Sequence, residues 1–182
     1  MDSCGVVPVK IIMIGSLNVG KTSLVSKYAN GKPPIKTDTK NASFVKKIKT
    51  INGIKFEIRL WDTAGQEKYK SLPKLFIKDA KIAILVYSID NEESFNELDN
   101  WLELIKNIND ETILYGVCAN KSDLASKDTI PDIKGKEYAK KIGADWTSTS
   151  AIINGKELIN LLKHYLLNII ILIFVEFHWV VL

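Results

Sequence analysis

Apolar and polar positions divide this chain into short apolar runs separated by segments of helical period. Residues 9–14, 82–87 and 112–119 are apolar runs of strand length, and the unbroken 82–87 has the pattern of a strand buried on both faces. Over 54–61 the period falls to two. Ile54, Phe56, Ile58 and Leu60 alternate with Lys55, Glu57 and Arg59, so this strand buries one face. Asn52-Gly53 joins it to 43–51 and suits a type I′ hairpin turn, whose two central residues both need positive φ. Residues 21–29 and 91–108 read as helices. In the second, Phe95, Leu98, Trp101, Leu102, Ile105 and Ile108 recur at helical spacing, Trp101 reads as core, and Asp90 with Glu93 forms a capping box. Pro131 opens a further helix that Gly143 closes. A short strand over 144–149 follows. A last helix starts near Asn154, with Leu158, Ile159, Leu161, Leu162 and Tyr165 on its apolar face. Residues 31–41 and 68–78 carry no period.

Strands alternating with helices, interrupted by one hairpin, predict an α/β sandwich. Its six-stranded sheet is mostly parallel with one antiparallel edge strand, and helices cover both faces. In such sheets ligands sit beyond the carboxyl ends of the strands. At 182 residues a single domain is expected. The organisation read here is a flexible N-terminus over 1–8, a main domain over 9–163 and an atypical hydrophobic tail over 164–182.

Composition changes this picture at few points. Charge is ordinary at 25% and the net +4 is modest. Nearly all the positive charge is lysine, and the single arginine, Arg59, sits inside a predicted strand. A catalytic arginine therefore has to come from another chain. Two cysteines, Cys4 and Cys118, make no disulfide framework, which suits a reducing compartment. No basic stretch followed by a long apolar run opens the chain, and Gly does not follow Met1, so neither a secretory leader nor myristoylation is expected.

The candidate chemistry falls at the carboxyl ends of the predicted strands. Gly15-Ser16-Leu17-Asn18-Val19-Gly20-Lys21-Thr22 matches G-x-x-x-x-G-K-[ST], the phosphate-binding loop. Its glycines permit a tight turn in which successive N–H groups converge on one concavity, beside the positive end of a helix. Lys21 reaches the β- and γ-phosphates, and the Thr22 hydroxyl ligates Mg²⁺. By itself this loop leaves adenine and guanine both open. Asp62 stands 41 residues after Lys21 and offers a second oxygen to the metal. Gly65 brings an N–H toward the γ-phosphate, and Gln66 carries donor and acceptor on one rigid amide, suited to orienting an attacking water. Asn120-Lys121-Ser122-Asp123 decides the base. A carboxylate such as Asp123 accepts from guanine's N1–H and N2–H₂, whereas adenine leaves it unpaired at a cost of about 1–3 kcal/mol or more. Asn120 contacts N7 or ties loops together, and the Lys121 stem covers the base face.

With these motifs in this order, the chain resembles a Ras-superfamily small GTPase, most like the Rab family, over roughly residues 9–163. Trp61-Asp62-Thr63-Ala64-Gly65-Gln66-Glu67, Thr149-Ser150-Ala151 and Leu85-Val86-Tyr87-Ser88-Ile89 carry the resemblance further. It implies the P-loop NTPase fold and a switch that binds GTP or GDP with Mg²⁺ and slowly hydrolyses GTP to GDP and phosphate. It implies Gln66 and Lys21 as catalytic residues and Thr22, Thr39 and Asp62 as metal ligands. Around the nucleotide it places Gly15, Leu17, Asn18, Val19, Gly20, Lys21, Thr22, Ser23, Thr39, Gly65, Asn120, Lys121, Asp123, Ser150, Ala151 and Ile152. It further implies a monomer in vesicle trafficking, cytoplasmic or on the cytoplasmic face of endomembranes. Effectors, exchange factors and GTPase-activating proteins meet it through two switch loops. A nucleotide kinase is disfavoured by Asp123 and by the shortage of arginine.

The departures from the family are specific. Leu17 stands where relatives carry Gly or a small polar residue, so an apolar side chain obstructs an incoming arginine finger and hydrolysis is expected to be slow. The first switch is one residue short before Thr39, with Lys40-Asn41 after it and Pro33-Pro34 where an aromatic residue leans on the base; Thr37 is a rival ligand. These features predict weak nucleotide retention. The alternative function is a GTP-binding module impaired in hydrolysis. Ile152 replaces a lysine. Lysines 32, 36, 40, 46, 47 and 49 cluster on the expected partner side as a solvated face or an attraction for acidic partners or anionic lipid. Nucleic acid is not expected, because no aromatic residues interleave them. No cysteine follows Cys118, so the prenyl anchor is missing. From Tyr165 to Leu182 only Asn168, Glu176 and His178 are polar. Three readings of this tail stand: a membrane anchor, an incorrectly assigned gene end, or an extended last helix with an apolar end.

Overall fold

The computed structural model describes residues 5–33, 43–63, 74–109, 112–127, 130–153 and 156–178, with side chains given up to residue 170 except at 43, 126 and 127. The strands are β1 (Val7–Ile14), β2 (Ser43–Ile51), β3 (Ile54–Asp62), β4 (Ile82–Ser88), β5 (Leu114–Asn120) and β6 (Asp145–Ser148). The helices are α1 (Lys21–Asn30), α2 (Lys74–Ile77), α3 (Glu92–Asn96), α4 (Leu98–Ile108), α5 (Asp132–Lys141) and α6 (Lys156–His178). They build the α/β sandwich that the alternation predicts, a six-stranded sheet in the order β2-β3-β1-β4-β5-β6. All neighbours are parallel except β2 and β3, so the antiparallel strand lies at the edge. Asn52 and Gly53 turn the hairpin with φ of 49° and 81°, the two positive angles that a type I′ turn demands.

Successive residues of each strand feed opposite cores. From β1 and β4, Ile11, Met13, Ile84 and Val86 pack with α1 and α6; Ile12, Ile14, Leu85 and Tyr87 pack with α3, α4 and α5. The all-apolar runs are therefore strands covered twice, and Cys118 is a buried member of the first core. Gly135, inside α5, lets that helix close on the sheet. A Cβ there would stand 2.3 Å from the Tyr87 hydroxyl and 2.4 Å from Trp146 Nε1.

Three local expectations are corrected. The helix expected over 91–108 divides at Glu97 into α3 and α4, although Glu97 N–H still reaches Glu93 O and Trp101 N–H reaches Glu97 O. Its cap is Asn91, in extended conformation, whose side chain accepts from Ser94 N–H at 3.0 Å. Asp90 does not cap, because its carboxylate is engaged by the Ser88 hydroxyl and faces Lys121. Pro131 occupies the cap position before α5 rather than its first turn.

Beyond residue 163, Tyr165, Leu166 and Ile170 are buried in the same core as Leu158 and Leu162. The Tyr165 hydroxyl donates to Tyr115 O at 2.6 Å and accepts from Asp145 N–H at 3.3 Å. Among the described residues no helix is long and apolar enough to cross a membrane.

Candidate nucleotide site

Parallel strands present their carboxyl ends to one edge of the sheet, and the loops that leave those ends make the site. β1 runs into the phosphate loop. Gly15 lies against β4, where a Cβ would stand 2.1 Å from Val86 O, so no side chain fits. Asn18 takes φ of 63°, which asparagine tolerates better than most residues. Gly20 has φ of 95°, and a Cβ there would stand 2.3 Å from Asn120 Nδ2. That space is used: Asn120 Nδ2 donates to Val19 O at 2.7 Å, so the loop after β5 grips the loop after β1. Asn120 thus ties the two loops together, one of the two roles read for it.

Lys21 opens α1 and is buried at 3% exposure. Its ammonium donates to Gly15 O and Ser16 O, each at 2.8 Å, and so lies across the loop. Thr22 and Ser23 follow in the first turn of α1, both partly buried. Asp62 ends β3 beside Met13 of β1 and is 1% exposed, while the Thr63 hydroxyl donates to Met13 O at 2.6 Å. A hydroxyl and a buried carboxylate are hard oxygen donors of the kind Mg²⁺ accepts. Mg²⁺ takes one or two protein ligands and keeps several waters. In keeping with such a sparse donor set, no group of three or more His, Cys, Asp or Glu among the described residues could hold a metal.

At the ends of β5 and β6 the residues expected to read the base meet. Asp123 lies in the 3-10 turn Ser122–Lys127, and its carboxylate accepts from the Ser150 hydroxyl. Ser150 Oγ also accepts from Ile152 N–H at 3.1 Å and Ile153 N–H at 3.2 Å. One hydroxyl thus shapes the turn through Ala151 and holds the Asp123 carboxylate. Ser150 and Ala151 are buried, whereas Ile152 is 68% exposed. Lys121 adopts φ of 67°, and its ammonium lies 3.5 Å from Asp90. The Ser88 hydrogen bond, and then the nearby Lys121 charge, hold the Asp90 carboxyl below the usual range against its partial burial.

Thr39, Gly65 and Gln66 lie outside the described residues, as do Thr37, Lys36 and Lys40. Within the lysine group, Lys46 pairs with Glu57 at 2.6 Å, and Lys47 donates to Tyr28 O at 2.7 Å. Burial, with Lys49 nearby, lowers the Lys47 ammonium.

Two features escape the sequence reading. On the outer face of the hairpin, Phe44 stacks on Trp61 with ring centroids 4.8 Å apart, and Trp61 meets Phe76 edge-on at 5.5 Å. Lys10 lies over Trp61 and donates to Leu75 O at 2.8 Å and Lys78 O at 2.7 Å, which ties α2 to the sheet. The sequence reading names 43–51 as a strand and assigns neither the face of Phe44 nor the rings it meets. The second feature is Trp101. It packs against the core, as read, but its indole N–H also points to Ser16 of the phosphate loop.

A family model described as the Ras family matches residues 10–167. The chain is 38% identical over 146 residues to Ras-related protein Rab-21 of Geodia cydonium, covering 80% of this chain and 64% of that relative. It is 36% identical over 143 residues to Ras-related protein RabJ of Dictyostelium discoideum, covering 78% of this chain and 56% of the relative. To human Ras-related protein Rab-30 it is 35% identical over 143 residues, covering 78% of this chain and 70% of the relative. The alignments thus span under two thirds of the first two relatives' own length.

Proposed function

This chain belongs to the Ras family and is Rab-like, and from that premise we propose that it is a guanine-nucleotide switch that hydrolyses GTP to GDP and phosphate in membrane trafficking. One observation carries the reading: the Asn120-to-Val19 hydrogen bond joins the phosphate loop to the base-reading loop as one site. Asp123, pre-arranged by Ser150, reads the donor edge of guanine, and Ala151 N–H meets the guanine carbonyl. Lys21 and the loop N–H groups balance the phosphate charge. Thr22 and Asp62 would hold Mg²⁺, joined by Thr39 in the GTP state, and the ion would supply neutralisation of the phosphate charge. Gln66 orients the attacking water. Losing the γ-phosphate releases the two switch segments. The exposed Phe44 ring, with the half-buried Trp61 and Phe76 behind it, gives effector and regulator proteins an apolar contact.

The test is direct. Purified chain is titrated with fluorescent GDP in competition with GTP and ATP, and single-turnover hydrolysis follows. Tight GTP binding that ATP does not compete, with phosphate release, supports the reading. Competition by ATP at equal concentration overturns it.

Leu17, 42% exposed in the loop, favours a second reading in which GTP is held but hydrolysed slowly. A trans-acting arginine finger is worth about 10³–10⁵ in rate, and a branched side chain at its point of entry obstructs it. Leu17→Ser then restores stimulated turnover; unchanged stimulation in that variant sinks this second reading. Membrane association through the tail is tested by fractionating the full chain against a 1–170 truncation, which keeps the buried Tyr165, Leu166 and Ile170; equal partitioning of both removes the tail as anchor.

A further inference from the structure

Ser16 is the second residue of the phosphate loop, and α3 and α4 hold its side chain from the flank. Its hydroxyl donates to the Glu97 carboxylate and accepts from Trp101 Nε1 at 3.5 Å. Both roles of the hydroxyl are thereby assigned, which limits it to one orientation. Glu97 stands at the break between α3 and α4, with φ of −77° and ψ of −6°. Phe95 on one side and Leu98 and Leu102 on the other are buried, so the backbone that carries this carboxylate is fixed from both directions. Glu97 and Trp101 are four residues apart and share one helical face, the face turned to the loop. The same Ser16 presents its carbonyl to the Lys21 ammonium at 2.8 Å. Rotation of Ser16 would therefore move one of the two carbonyls that steer the lysine.

We propose that Glu97 is a positioning residue for the phosphate loop, acting through the Ser16 hydroxyl with Trp101 as the second hold. This rests on the guanine-nucleotide reading above. Next to a loop that receives polyanions, the charge of Glu97 works against the ligand. What Glu97 contributes is an acceptor at a fixed place, and an amide oxygen is an acceptor too. Replacing the carboxylate by glutamine therefore preserves the function, while removing either partner destroys it.

The experiment measures dissociation of N-methylanthraniloyl GDP from the full-length chain. Ser16→Ala and Glu97→Ala raise the rate about five- to tenfold, the factor carried by one net hydrogen bond of this kind. Glu97→Gln stays within about twofold of the parent, and the Ser16→Ala/Glu97→Ala double variant is no faster than the faster single, as partners in one interaction require. The ³¹P resonance of the bound β-phosphate moves in both alanine variants and returns in Glu97→Gln. Glu93→Ala, exposed on the same helix, leaves rate and resonance unchanged. Unchanged dissociation in both single variants, rates that multiply in the double variant, or a Glu97→Gln variant as fast as Glu97→Ala overturns the proposal. A parent chain that holds no guanine nucleotide overturns the underlying reading and this inference with it. A parent that holds it with unaffected alanine variants overturns this inference alone.

Discussion

At the ends of β5 and β6 the Asp123 carboxylate is met by Ser150, Ser150 by two backbone N–H groups, and Val19 O by Asn120. On the outer face of β2 and β3 the contacts are of another kind. Phe44 stacks on Trp61 with half of its surface in solvent, and Ile48, on the same face, is 52% exposed. The first region is polar and at least partly buried, and its groups are held by hydrogen bonds within the chain. Such preorganisation lets a small ligand with fixed donors be recognised without paying to order the site. The second region is more open: Phe44 and Ile48 keep apolar surface beside the charged Lys46, Glu57 and Arg59, and such a mixed surface suits a large partner. On the proposed function, nucleotide recognition and partner recognition are separated by place, and apolar contact has the larger share in the second.

Four substitutions or conditions would break or sharpen this contrast. On the proposed guanine site, Asp123→Ala removes two charge-assisted hydrogen bonds to the base, each worth about 1.5–3 kcal/mol. Affinity for fluorescent GDP should fall by at least about a hundredfold, with the melting temperature of the nucleotide-free chain little changed. Raising the pH acts next. Burial, with Glu157 nearby, pushes the Cys118 thiol up to about 12, and burial also raises the Tyr138 and Tyr165 hydroxyls. All three are held neutral in the fold and ionise more readily once unfolded. Their contribution is fully present below the ordinary thiol value of 9.0 and is lost as pH rises toward the folded values. Urea midpoints should therefore decline steadily from pH 9 upward, and Cys118→Ala should flatten the first part of the decline.

Smaller effects follow on the partner face. Lys10→Met releases the Leu75 and Lys78 carbonyls and leaves the cation off Trp61. A loss of about 1 kcal/mol, or a few degrees of melting temperature, is expected, with GDP affinity unchanged. The Lys10 ammonium, already lowered by burial against the raising influence of Asp79, is the group removed. Phe44→Ala should change stability by no more than about 0.5 kcal/mol and GDP affinity by less than about twofold. A large drop in GDP affinity in the Phe44 variant would join the two regions and end the comparison.

Much of the fold was legible because burial on two faces leaves a signature that needs no knowledge of neighbours. The runs at 9–14 and 82–87 are strands covered twice, and the alternation over 54–61 is a strand with one face open. The hairpin was legible in Asn52-Gly53 for a local steric reason. What was not legible depended on contacts between distant residues. Asp90 and Glu93 satisfy the capping pattern, yet Asn91 caps, because Asp90 is engaged by Ser88, two residues before it, and by Lys121 from the next strand's end. Periodicity ran through Glu97 without a break, since the divided helices keep the same apolar stripe. Trp101 reads as core from spacing, and its bond to Ser16, 85 residues away, has no trace in the local pattern.

The sequence by itself determined the kind of chemistry. On the proposed function, residue type and spacing in Gly15–Thr22, at Asp62 and in Asn120–Asp123 specify which atoms are available to phosphate, metal and base, and these are properties of short segments. Only the tertiary structure decided how those segments are held. Asn120 fills the space left by Gly20, Ser150 orders Asp123, Glu97 reaches Ser16, and α6 carries Tyr165, Leu166 and Ile170 into the core. Each of these contacts joins elements brought together by the parallel sheet. Their geometry follows from packing, which local pattern does not encode.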